Sequence, residues 1–177
     1  MRTIKIMCVI KEMRALPTIN EIKEEAFKLR GLIDKCEKSN MKLVIDCFPI
    51  MSCKLSSMLL SYHFLEVWQQ LEVKGVSAAT GIGDQITHYW LEIDEVAIDI
   101  TGDQYNFIKN SELNNKIVKN RPFEAVHVSL KNESYLYNLF RVRGSELLVY
   151  GFPTIGEDFI EDMKHDYSLL LNQIACI

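Results

Sequence analysis

Three residues of different chemical types stand out in the middle of the chain: the thiol of Cys53, the imidazole of His88 and the carboxylate of Asp99. A cysteine nucleophile needs a general base, and the base needs a group that orients its ring. The chain order of these residues suits those three roles. We therefore take Cys53, His88 and Asp99 as candidate catalytic residues, with Asp103 as an alternative orienting carboxylate.

The sequence around Cys53 predicts the start of a helix. Pro49 interrupts the preceding structure, and Ser52 or Cys53 then opens the helical segment. Residues at helical spacing predict its buried face: Leu55, Met58, Leu59, Tyr62, Leu65 and Gln69. In the first turn of a helix, free backbone amides and the helix dipole favour a thiolate and can bind an oxyanion. A lone cysteine more often has only a packing role, so this interpretation depends on its partners.

The other two candidates lie in a predicted β-hairpin, with strands at 86–93 and 96–101 joined by a two-residue turn. If Ile93 pairs with Val96, side-chain alternation places four residues on one face: His88, Trp90, Asp99 and Thr101. The imidazole and the carboxylate are then diagonal neighbours, roughly 7–8 Å apart at the backbone and within reach of a hydrogen bond. A slip of one residue would put them on opposite faces.

The remaining segments predict a single α+β domain over residues 1–177, with helices packed on a mostly antiparallel sheet. A capping box formed by Thr18 and Glu21 predicts a helix over 19–38, and a second apolar seam predicts a helix from about Glu157. Further β-prone runs lie at 3–10, 73–80, 123–130 and 147–152, with a loop and short helix at 106–120 and an ambiguous segment at 134–141.

Composition excludes several classes of protein. The chain is 48% hydrophobic and 25% charged, and its net charge of −4 without a basic cluster argues against a nucleic-acid partner. No apolar run approaches the roughly 20 residues that cross a bilayer, and no secretory signal is evident, so we expect no membrane partner. The scattered cysteines favour no disulfide framework, so we expect a protein of the reducing cytoplasm. The five cysteines are scattered without metal-ligand spacing, and we expect neither a metal nor a cofactor. The oligomeric state is left open.

Four runs between residues 48 and 105 carry a resemblance: Phe48-Pro49, Ser52-Cys53, His88-Tyr89-Trp90-Leu91-Glu92, and Ile98-Asp99-Ile100-Thr101 followed by Asp103-Gln104-Tyr105. This pattern resembles a largely uncharacterised bacterial family of transglutaminase-like proteins, whose own pattern has Gly/Ser-Cys-Gly, His-Ala-Trp-Leu-Glu and Asp-Ile-Thr-Ala-Asp-Gln-Phe. The resemblance implies a papain-like, transglutaminase-like fold with Cys53 as nucleophile, His88 as base and Asp99 as the orienting group. The spacing is also similar to that of arylamine N-acetyltransferases and lasso-peptide leader peptidases.

The chain departs from the family pattern around the nucleophile. Lys54 replaces the usual glycine, Met51 replaces a small residue and Tyr89 replaces alanine. Where papain-like enzymes place a Gln or Asn that binds the oxyanion, this chain has Cys47. We expect the backbone amide of Cys53 to take that role, and the further candidates for oxyanion or substrate contacts are Gln104 and Trp90.

The sequence therefore predicts a cysteine-dependent amide hydrolase or acyl-transfer enzyme that acts on a peptide or protein through a thioester. Water or an amine would cleave the thioester, and the sequence does not choose between them. Two alternatives stay open: a catalytically inactive interaction module on the same fold, and a small-molecule N-acyltransferase. His63 is expected to have a surface or packing role, and Glu24 and Glu25 are expected to be solvated.

Overall fold

The structure is a computed structural model that describes residues 16–174, so the β-prone run at 3–10 lies outside the described residues. The described chain is α+β, with helices around a five-stranded antiparallel sheet. Its helices are α1 (Ile19–Lys35), α2 (Cys53–Val67), α3 (Gln104–Phe107), α4 (Asn115–Lys119), α5 (Tyr135–Leu139) and α6 (Glu157–Ile174). Its strands are β1 (Val73–Thr80), β2 (Ile86–Ile93), β3 (Val96–Asp99), β4 (His127–Leu130) and β5 (Arg141–Leu148).

The strands follow the order β4-β3-β2-β1-β5, and every neighbouring pair is antiparallel. The predicted hairpin register is confirmed, because Ile93 of β2 pairs with Val96 of β3. The second strand ends at Asp99 and not at residue 101 as the sequence predicts. The Asp99 carboxylate accepts a hydrogen bond from the backbone N–H of Thr101 at 2.8 Å, and this contact turns the chain out of the sheet toward α3.

The sheet separates two apolar clusters. One face packs against α1 and α2, which in turn contact α6, and the cluster on this side includes Leu59, Tyr89 and Met163. The opposite face carries buried aromatic side chains: Trp90, Tyr105, Phe123 and Phe140. Because successive side chains of a strand alternate between faces, Tyr89 and Trp90 belong to different clusters. His88 lies on the aromatic face with Trp90, since their ring centroids are 6.2 Å apart.

The first helix begins with the predicted capping box. The backbone N–H of Thr18 donates to the Glu21 carboxylate at 2.7 Å, and the Thr18 hydroxyl accepts from the N–H of Glu21 at 3.3 Å. The helix ends at Lys35, slightly before the predicted residue 38, and Cys36 caps it with a buried side chain. Its buried face also contains a charged residue that the apolar pattern does not indicate, Arg30.

The second helix begins at Cys53 with Ser52 as its N-cap residue, as predicted. It ends at Val67, so the expectation that Gln69 lies on its buried face is wrong: Gln69 follows the helix and is exposed. Burial extends beyond the predicted stripe to polar positions such as Ser56 and Ser61. The reason is that α2 contacts the sheet and also contacts both α1 and α6.

Two of the later strand predictions are wrong in their bounds. The strand expected over 123–130 begins only at His127, because the side-chain amide of Asn106 takes both backbone hydrogen bonds of Phe123, at 2.9 and 2.8 Å. The run at 147–152 mostly follows β5, which is an exposed edge strand without an alternating apolar pattern. The helix from Glu157 is confirmed. No helix within residues 16–174 has the length and apolar character needed to cross a membrane.

Candidate active site

The hydrogen bond that the hairpin predicts between His88 and Asp99 is present. Nε2 of His88 lies 2.7 Å from Oδ2 of Asp99, and both side chains are completely buried. The register of β2 and β3 brings the two side chains to one face, where Asp99 is the last residue of its strand. Because Nε2 is engaged by the carboxylate, Nδ1 is the nitrogen left to face a reacting group.

Three other donors fix the Asp99 carboxylate. Oδ1 accepts from the Thr101 backbone N–H at 2.8 Å and from its hydroxyl at 3.0 Å, and Oδ2 accepts from the Tyr135 hydroxyl at 2.9 Å. Burial raises the pKa of Asp99, but the charge and hydrogen bond of His88, with these donors, outweigh burial and lower it. A Cβ at Gly102 would overlap the Tyr135 hydroxyl, so the glycine leaves the space in which this hydroxyl reaches Asp99.

His88 is an imidazole in an apolar aromatic setting with one strong anionic partner. Its ring centroid lies 5.3 Å from those of both Tyr105 and Phe140. Burial by itself lowers the pKa of His88, but the charge and hydrogen bond of Asp99, with a smaller contribution from Cys53, raise it to about 10. The imidazole is therefore protonated at neutral pH. Such a cation stabilises a thiolate beside it.

Cys53 is the first residue of α2, and its side chain is partly exposed. It is close enough to His88 to affect the ionisation of the imidazole. Its N-cap residue, Ser52, makes no side-chain cap and instead donates its hydroxyl to the carbonyl of Ile50 at 3.2 Å. The backbone amides of the first turn are therefore not taken by the Ser52 hydroxyl, and they are available to a negative charge beside Cys53.

Gln104 and Trp90 take different places around the imidazole. Nε2 of buried Gln104 lies 3.3 Å from Nδ1 of His88 and donates to the Thr101 carbonyl at 3.1 Å. Since a protonated imidazole donates from both nitrogens, the amide nitrogen of Gln104 does not accept from Nδ1. Trp90 is fully buried beside Tyr137, at 5.5 Å between centroids, so it packs behind the imidazole and has no solvent-accessible surface.

The alternative orienting carboxylate, Asp103, points to a different partner. Its two carboxylate oxygens accept from the guanidinium of Arg30 at 2.9 and 2.8 Å. Asp99 alone of these two carboxylates is hydrogen-bonded to His88. Arg30 is a residue that sequence reasoning missed, since it stands in an amphipathic helix whose polar residues are mostly exposed.

Lys54 of α2 and Tyr89 of β2 contact each other on the face of the sheet that packs against α2. The Tyr89 hydroxyl donates to Glu146 of β5 at 2.8 Å, and Lys54 Nζ lies 3.5 Å from the same carboxylate and 5.3 Å from the Tyr89 ring centroid. A Cβ at Gly75 would overlap the Tyr89 ring, so this glycine makes the larger side chain possible. Tyr89 therefore lies on the face opposite to His88.

Two more residues near the nucleophile are turned outward. Met51 is 78% exposed with a positive φ of 60°, and Cys47 is exposed with its thiol donating to the carbonyl of Ile50 at 3.3 Å. Cys47 therefore does not replace the oxyanion-binding side chain of papain-like enzymes. The first-turn amides of α2 lie beside Cys53, and the buried side-chain amide of Gln104 lies beside His88.

The packing role expected of His63 is confirmed. This residue is buried between three helices, with Nε2 2.7 Å from Glu25 of α1 and Nδ1 3.0 Å from the Tyr167 hydroxyl of α6. The expectation that Glu25 is solvated is wrong, since its carboxylate is half-buried against His63, whereas Glu24 is exposed. Within residues 16–174, no three His, Cys, Asp or Glu side chains form a group that could hold a metal ion.

Comparisons of this chain with protein-family models, with curated proteins and with solved structures find no match. The geometry of Cys53, His88 and Asp99 is therefore the main support for a functional assignment.

Proposed function

We propose that the protein is a cysteine-dependent amide hydrolase or acyl-transfer enzyme with Cys53 as nucleophile, His88 as acid and base, and Asp99 as the orienting group. The observation that carries this proposal is the fully buried ion pair of His88 and Asp99, joined at 2.7 Å, beside a partly exposed cysteine at a helix N-terminus. A purely structural His–Asp pair would have no need of a partly exposed thiol close enough to affect the ionisation of the imidazole.

The first half-reaction forms a thioester. The Cys53 thiolate attacks the carbonyl carbon of an amide and forms a C–S bond, and the carbonyl electrons move to oxygen. His88 donates the Nδ1 proton to the nitrogen of the amide, the C–N bond breaks, and a neutral amine leaves. Asp99 keeps Nε2–H hydrogen-bonded throughout, which fixes the tautomer and the ring orientation.

The transient oxyanion needs donors, and the first turn of α2 supplies them. The backbone amide of Cys53 precedes the intrahelical hydrogen bonds and is not capped by Ser52. The Gln104 side-chain amide directs one hydrogen at the Thr101 carbonyl, and its second hydrogen, beside Nδ1 of His88, is the further donor that we propose. Two preorganised donors of this kind are the usual composition of an oxyanion hole.

The second half-reaction releases the acyl group. Neutral His88 takes a proton at Nδ1 from water or from an amine, the resulting nucleophile attacks the thioester, and Cys53 leaves as a thiolate. Water gives hydrolysis, and an amine gives acyl transfer. The imidazolium–thiolate pair is regenerated in either case, and neither a metal nor an organic cofactor enters the scheme.

The likeness in the segment 48–105 supports placing the protein with transglutaminase-like, papain-like enzymes. The helix that begins with Cys53 and packs on an antiparallel sheet is compatible with that fold. In keeping with that likeness, we propose a peptide or protein as the substrate class, and the partly exposed Cys53 is accessible to an amide of another chain.

The experiment that tests this proposal is acylation by p-nitrophenyl acetate. Intact-mass analysis should show one acetyl group on Cys53, with a burst of nitrophenolate that Cys53→Ala abolishes and that a Cys47→Ala control retains. Subsequent addition of a small primary amine separates hydrolysis from transfer. Equal acetylation of the exposed thiol of Cys47, or no acetyl-enzyme at all, would favour an inactive interaction module.

A further inference from the structure

Arg30 is a buried cation with an unusual number of partners. Only 6% of its surface is exposed, although it stands in the middle of α1. Its Nε donates to Asp34 at 2.9 Å, and its Nη1 and Nη2 donate to the two oxygens of Asp103 at 2.9 and 2.8 Å. Nη1 also donates to the carbonyl of Ala125 at 3.1 Å. Burying a guanidinium costs free energy unless it has such partners, so these hydrogen bonds fix the position of the Arg30 side chain.

The first connection from Arg30 runs to the turn that supports His88. Nη1 donates to the carbonyl of Ile100 at 2.6 Å, and Asp103 is the residue immediately before α3. Between these two contacts lies Thr101, whose N–H and hydroxyl hold Asp99. Arg30 therefore contacts this turn on both sides of Thr101, the residue that holds the Asp99 carboxylate.

The second connection runs to the segment that leads to the nucleophile. The guanidinium carbon of Arg30 lies 4.7 Å from the centroid of the Phe48 ring, a cation–π contact. Phe48 precedes Pro49, and the chain continues through an outward turn to Cys53. The same guanidinium thus contacts both the approach to Cys53 and the turn after Asp99.

We propose that Arg30 is a positioning residue that fixes these two segments to each other and so sets the distance between the Cys53 sulfur and Nδ1 of His88. This inference rests on the proposed function for its catalytic meaning. A lysine cannot take over the role, because a single ammonium lacks the planar fork that reaches Asp103 and Ile100 together and stacks on Phe48.

The variants that test this role are Arg30→Lys and a matched control, Glu25→Gln. The control removes a charge from the same helix and weakens the buried contact with His63, which lies on the opposite half of α2 from Cys53. Folding of each variant is checked by circular dichroism. Two quantities are then measured: the NMR titration of His88, and the rate of Cys53 alkylation by iodoacetamide at pH 6.

In Arg30→Lys we expect the pKa of His88 to fall by about one pH unit, because the Thr101 turn loosens its hold on Asp99. At pH 6 the imidazole stays charged in both proteins, so the larger separation between the Cys53 sulfur and Nδ1 should be what slows Cys53 alkylation, by roughly tenfold, and Glu25→Gln should leave both quantities unchanged. An unchanged His88 titration in folded Arg30→Lys would overturn the positioning role. If the pKa of His88 falls but the alkylation rate of Cys53 does not change, Arg30 positions Asp99 as proposed, and the result counts against the proposed function instead.

Discussion

Replacing Asp99 by asparagine should change the ionisation of His88 more than any other single substitution at this site. The imidazole has its pKa raised from 6.5 to about 10, and Asp99 is the main cause of the increase. An asparagine side chain at this position would keep the volume but not the charge, so burial would then dominate and the pKa of His88 would fall below its ordinary value. The imidazole of the Asp99→Asn variant should be neutral at pH 7.

The same shift has a consequence for stability. A rise from 6.5 to about 10 corresponds to on the order of 5 kcal/mol, at about 1.4 kcal/mol per pH unit. Because the pKa of His88 is higher in the folded state, this stabilisation is complete below pH 6.5 and is lost as the pH rises through about 10. The free energy of unfolding of the natural protein should therefore fall over this range, and that of Asp99→Asn should not show this fall.

The assay combines a histidine NMR titration with urea unfolding at several pH values between 6.5 and 10. The natural protein is compared with Asp99→Asn, so that titrations of other groups cancel in the difference. If His88 titrates near 6.5 in the natural protein and the substitution leaves the difference in unfolding free energy independent of pH, the ion pair does not exist as described, and the proposed mechanism loses its base.

Three further predictions concern the supports of the site. Tyr135→Phe should lower the free energy of unfolding by about 1–3 kcal/mol, since a buried charged acceptor loses a donor, and urea unfolding measures this. Gly75→Ala should destabilise by about 1–3 kcal/mol through overlap with Tyr89, and Tyr89→Ala in the same chain should remove most of that cost. Burial lowers the pKa of His63, so its contribution to stability is present above pH 6.5 and lost as the pH falls; in His63→Phe, acid unfolding curves should lack that dependence.

The parts of the site that the sequence predicts are those specified by local rules. A capping box at Thr18 and Glu21 starts α1, and proline followed by helical spacing starts α2 at Cys53. The two-residue side-chain alternation of a hairpin brings His88 and Asp99 to one face. Each of these depends on neighbours within a few residues or across a single turn, so periodicity is sufficient to find them.

The parts that the sequence does not predict depend on contacts between distant segments. Arg30 reaches Asp103 across 73 positions, and Tyr135 reaches Asp99 across 36. Tyr89 contacts Glu146 on a strand that is two places away in the sheet. Nothing in the local pattern around Arg30 or Tyr135 marks these partners, because a buried polar contact is specified by the tertiary fold and not by side-chain spacing.

The exposed edge strand β5 is another element that the sequence pattern does not predict. β5 has charged and small residues at most of its positions, and its side chains are largely exposed, so it lacks the apolar alternation that reveals a strand. It forms because its backbone pairs with β1 over nearly its full length. An edge strand of this kind is therefore specified by its pairing with the neighbouring strand and not by a pattern in its own sequence.

The pH dependence of iodoacetamide alkylation at Cys53 tests the central claim most directly. It is measured by mass spectrometry in the natural protein and in His88→Ala, with the exposed thiol of Cys47 as an internal reference. The account predicts that Cys53 is alkylated faster than Cys47 at pH 6 and that His88→Ala removes this difference. Alkylation of Cys53 with the same pH dependence as Cys47 in both proteins would contradict the thiolate–imidazolium pair and the enzymatic function derived from it.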